Sequence, residues 1–83
     1  MTDATERDAQ LKHLEHLKAM GEKAYDDMYE AHSFSQANGF YSESKESFYD
    51  AIRLAEELGL ADEAESLRKR LEHIKAVFRS QFV

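Results

Sequence analysis

The sequence predicts an all-α protein, an antiparallel three-helix bundle with a long or bent first helix. Three observations carry this. Apolar residues recur at steps of three and four, no Val, Ile or Thr run alternates with polar residues, and 83 residues contain no proline and only three glycines. A chain this short holds one domain, residues 1–83, and buries only about 60% of its unfolded surface.

A first helix is expected over about residues 4–37. Asp3 and Glu6 have the spacing of a capping box, with Thr5 as a competing cap. Leu14, Leu17, Gly21, Ala24, Met28, Ala31 and Ser35 follow as one face. Gly21, Ala24 and Ala31 make that face shallow, so another helix can approach closely. Gly21 costs about 1 kcal/mol relative to Ala, yet the apolar phase continues across it, which predicts a continuous or mildly bent helix. Asn38-Gly39 is expected to end it, since both residues tolerate the left-handed cap conformation.

The second helix is expected over 42–58, with Ser42 as N-cap and Glu43 in the first turn. Tyr41, Ser44, Phe48, Ala51, Ala55 and Leu58 form its stripe, widened by Ile52 and Leu54. Gly59 supplies the stop, and Leu60 folds back onto the last turn. The third helix is expected over 62–81, opened by an Asp62–Glu65 capping box and packed through Leu60, Ala64, Leu67, Leu71, Ile74 and Phe78, with Val77 and Phe82 extending the surface. Connections this short make neighbours antiparallel.

The chain has no cysteine, which excludes a disulfide, a thiol nucleophile and cysteine-ligated metal. Its opening residues lack a signal-peptide apolar run, and no stretch approaches the roughly 20 apolar residues of a membrane span. The expectation is a cytoplasmic protein without membrane contact. The net charge is −6. Residues 21–60 hold nine acidic and three basic side chains, which argues against nucleic acid as a partner. The Arg68-Lys69-Arg70 triplet reads as a solvated face.

No pattern supports catalysis, a cofactor or a metal. His13 and His16 are three apart with Glu15 between them, unlike a zinc-protease motif, which needs two histidines four apart. His32 and His73 are isolated. Asp26-Asp27 and Glu56-Glu57 are adjacent pairs, and adjacent helical residues diverge by about 100°. Each glycine stands alone, so there is no phosphate loop. The protein is expected not to be an enzyme.

The stretch Gly39 to Ile52, G-F-Y-S-E-S-K-E-S-F-Y-D-A-I, resembles the second helix of a tetratricopeptide repeat. Gly39, Tyr41, Glu43, Ser44, Phe48 and Ala51 match that family's positions, and the resemblance covers about residues 25–58. It implies a helix-turn-helix unit that binds protein segments, with ligand-facing positions at Asp26, Tyr29, Ser33 and Gln36. The same stretch also resembles, more weakly, the microtubule-interacting-and-trafficking domain, a free-standing three-helix bundle. Neither resemblance brings catalytic residues.

Tyr25, Tyr29 and His32 cluster beside the small-residue strip on a helical wheel. With the positions implied by the resemblance, the expected partner-binding set is Tyr25, Asp26, Tyr29, His32, Ser33 and Gln36. The expected function is a non-enzymatic module that docks a peptide or helix of a partner protein, its acidic rims favouring a basic one. The alternative is a structural homo-oligomer, a dimer paired through Leu11, Leu14, Leu17 and Met20 of the first helix.

Overall fold

The computed structural model describes residues 2–82, with side chains from residue 4 onward. Three helices, α1 (Thr2–Tyr29), α2 (Phe34–Glu57) and α3 (Ala61–Phe82), pack in chain order. The arrangement is a long, thin bundle of 50 × 19 × 12 Å. Both α1 and α3 lie against α2, which is the central helix. No helix is long and apolar enough to cross a membrane among the described residues.

Most of each expected face forms the core, but Ser35, expected on the first helix, is exposed in α2, and Ala31, Tyr41, Leu58 and Leu60 are only half-buried. Leu14, Leu17, Ala24 and Met28 of α1 are buried with Phe48, Ala51, Ile52 and Ala55 of α2 and Ala64, Leu67, Leu71, Ile74 and Phe78 of α3. Tyr25 and Ala37 complete the set. Tyr41 stacks flat on Phe78 with ring centroids 4.0 Å apart, fixing the N-terminal half of α2 against the end of α3.

α1 runs uninterrupted through Gly21. Here α2 packs directly on the α1 backbone. The Ser44 hydroxyl, fully buried, donates to the Gly21 carbonyl at 2.9 Å, and the Phe48 ring covers the space where a Gly21 Cβ would stand. The glycine that weakens the helix locally is the condition for its packing.

The first turn falls earlier than expected. α1 ends at Tyr29, and α2 begins at Phe34 and passes through Asn38 and Gly39, so Asn38-Gly39 is not a cap and Ser42 is not an N-cap. The true boundary is set by Ser33 and Gln36. Ser33 is extended (φ −144°, ψ 159°), and its Oγ accepts from the Gln36 N–H at 3.2 Å. In return Gln36 Oε1 accepts from the His32 N–H at 3.0 Å. This reciprocal pair satisfies donors that a helix start leaves open, and it outweighs the roughly 1 kcal/mol cost of Gly39 inside the helix.

The second turn matches expectation at Gly59 and departs at Asp62. Gly59 has φ +75°, its N–H donates to Glu56 O at 3.0 Å, and the Leu60 N–H donates to Ala55 O at 2.9 Å. That is the double hydrogen bond of a Schellman cap. α3 already starts at Ala61, so Asp62 lies inside its first turn with Glu63, where the helix dipole favours acids. The Asp62–Glu65 box is therefore not its cap. α1 begins at Thr2, so Asp3 and Thr5 lie inside it and neither is its cap; the Asp3 side chain lies outside the described residues.

α1 and α3 face each other across long side chains rather than close backbones. Lys18 Nζ meets Glu63 at 2.6 Å, and Arg70 forms a two-pronged pair with Glu22, both contacts 2.7 Å. The Arg70 guanidinium lies 5.0 Å above the Tyr25 ring. The hydrogen bond to Glu63 raises the Lys18 pKa and that to Glu22 raises the Arg70 pKa. The basic triplet is occupied internally: Arg68 pairs with Glu56 and Glu65, Lys69 with Glu65, and Arg70 with Glu22.

Candidate functional site

The fold separates the six expected partner-binding residues. Tyr25 is buried, so it serves the core, and its hydroxyl pKa is raised chiefly by that burial. Its ring stands edge-on to Tyr29 at 5.3 Å and to His73 of α3 at 6.4 Å. Asp26 is exposed, and Tyr29 keeps 48% of its surface. Tyr25 and Tyr29 therefore belong to the flank of α1 that faces α3.

Ser33 and Gln36 are spent on the turn that joins the helices. His32 and Gln36 nevertheless line a cavity of about 410 Å³ at that turn. Its other walls are Asp27 of α1, Glu30 and Ala31 of the connecting turn, and Gly39, Phe40 and Glu43 of α2. Phe40 and Ala31 are half-buried and pack against the core, giving the groove an apolar base. Three carboxylates surround it.

These acids differ in their commitments. Asp27 is held by Lys23 at 3.0 Å. Glu30 and Glu43 make no ion pair among the described residues, where nine other pairs form. Two carboxylates without a cation beside an apolar base can receive a basic side chain with an apolar stem. Asp27, Glu30, Phe40 and Glu43 were not singled out from sequence as a site. With the turn placed at Asn38-Gly39, Phe40 and Ala31 cannot face each other.

Elsewhere the surface offers less. Among the described residues no three His, Cys, Asp or Glu side chains are grouped as metal ligands would be. His13 and His16 are exposed on α1. Of the first-helix residues expected to pair two copies, Leu14 and Leu17 are buried within this chain, while Leu11 is half-buried and Met20 is 46% exposed. Arg7 extends along the bundle to donate to the Leu58 carbonyl at 3.4 Å, so the start of α1 lies beside the end of α2.

Comparison of the chain with protein-family models, with curated proteins and with solved structures found no match.

Proposed function

We propose that this protein is a non-enzymatic interaction module that binds a basic segment of a partner protein at the groove formed by the α1–α2 turn. The observation that carries the reading is the pairing of a half-buried apolar base, Ala31 and Phe40, with the unpaired carboxylates of Glu30 and Glu43. An arginine or lysine entering there would lay its stem on Phe40 and bring its charge to both acids. Because the groove is open to water, each such contact contributes modestly, and binding weakens with salt.

The test is an array of Lys- and Arg-containing protein segments probed with the wild-type chain and with Glu30→Lys/Glu43→Lys. Wild type is expected to retain a subset of segments that the double variant loses. An identical set on both would show that the turn groove is not the binding site.

A further inference from the structure

The turn groove is one end of a longer trough. On α1, Leu17 and Ala24 are seven residues apart, and Ala31 follows at the same interval in the connecting turn; on α2, Phe40, Ser47 and Leu54 recur at intervals of seven. The antiparallel pairing brings these two rows together. At one end Ala31 and Phe40 share the turn cavity, and at the other Leu17 and Leu54 share a second cavity of about 310 Å³. Between these ends the two rows continue through Ala24 and Ser47, both small and buried.

This trough is on the flank of the α1–α2 hairpin opposite α3. On α1, Lys18 and Tyr25, which meet α3, directly follow Leu17 and Ala24 and so point about 100° round the helix from them. On α2, Tyr41 faces α3, and Phe40 faces away. One flank of the hairpin is thus covered by a helix and the equivalent flank is open. Met20, 46% exposed, stands along the open one.

The rim repeats with the same period. Glu43, Asp50 and Glu57 on α2 are exposed and seven residues apart, and Asp27 and Glu30 guard the α1 side of the turn. Arg53, paired with Asp50 at 3.4 Å, is the basic residue lining the far cavity, with His13 beside it. A seven-residue spacing of both floor and rim is the register in which one helix packs against two others. An extended peptide, with its period of two, would match neither row.

We infer that the trough seats a helix of a partner protein lying lengthwise against α1 and α2, with Lys or Arg at seven-residue intervals facing Glu43, Asp50 and Glu57. From Phe40 to Glu57 the seat is roughly 25 Å long, so the docked helix spans about 17 residues. This rests on the proposed function and extends it, since that reading needs the turn end alone.

The probe is a fluorescein-labelled synthetic helix of three heptads, Leu and Ala on its seam and Lys at flanking positions, beside a version with Glu in place of each Lys. The lysine peptide is expected to bind one to one, to gain helicity, and to lose at least tenfold affinity to Asp50→Lys/Glu57→Lys. Glu65→Lys/Glu72→Lys on α3 makes the same charge change away from the trough and is expected to leave affinity within twofold. Circular dichroism checks that each variant stays folded.

Loss on Glu30→Lys/Glu43→Lys with none on Asp50→Lys/Glu57→Lys would overturn lengthwise docking and leave the turn groove standing. No loss on either would overturn both readings. Equal loss on the α3 control, or equal binding of the glutamate peptide, would overturn the seat as a specific site. Sedimentation showing a dimer that Met20→Glu dissociates would give the trough to a second copy of this chain and overturn the proposal.

Discussion

A Cβ added to Gly21 would sit 2.6 Å from Cε2 of Phe48 and 2.8 Å from its Cδ2. Phe48 is only 1% exposed, so moving its ring aside disturbs the core packing around it. Gly21→Ala should therefore destabilise the fold by about 1–2 kcal/mol, the overpacking cost exceeding the helix-propensity gain. Chemical denaturation of Gly21→Ala, Phe48→Leu and the double variant measures it. The double variant should recover part of the loss, and strict additivity would show that the two residues do not compete for space.

Gly39 gives the opposite expectation. It lies within α2, its φ is not positive, and nothing stands within 4 Å of an added Cβ. Gly39→Ala should raise stability by about 1 kcal/mol. A loss instead would place a turn at Gly39. Gly59, at φ +75°, should lose stability on the same change.

Ser33→Ala removes the oxygen that accepts from Gln36 and should cost about 1 kcal/mol. Ser42→Ala, at an exposed position inside α2, should leave the thermal midpoint nearly unchanged. If Ser42 proved the more costly of the two, the helix boundary drawn at Ser33 would be wrong.

Alkaline pH should loosen the α1–α3 flank. Lys18 binds its proton more tightly when folded because Glu63 accepts from it, and Tyr25 does so because it is buried. Raised folded-state values mean that this stability is complete below the unfolded pKa values, near pH 10, and is lost as pH rises through the folded ones. The midpoint of thermal unfolding should fall as pH rises above about 10, and less steeply in Lys18→Met. An identical slope in that variant would remove Lys18 from the account.

Much of the fold was legible because its signals are local. The stripe Leu14, Leu17, Gly21, Ala24 and Met28 predicts a face, and that face is buried. Gly59 predicts a stop, and its backbone makes the expected cap. The Ser33–Gln36 box stands in the sequence as Ser-x-x-Gln, a signal that could have placed the turn, but the turn was expected at Asn38-Gly39 instead. Placing the turn at the glycine moved Phe40 out of reach of Ala31 and hid the groove. It also grouped Tyr25 with Ser33 and Gln36, although the fold gives them unrelated tasks.

The sequence alone determined the all-α class, the three-helix order and nearly every core residue, because helical periodicity and the absence of proline and cysteine act within a single helix. The tertiary structure decided the rest. Whether Gly21 bends a helix or admits a neighbour depends on Phe48 and Ser44, more than twenty residues away. Which aromatics are buried depends on where α3 lies, since Tyr25 is covered by Arg70 and His73 while Tyr29, one turn on, is not. Which acids remain unpaired depends on the packing of helices, because Arg70 reaches Glu22 only once α1 and α3 are side by side.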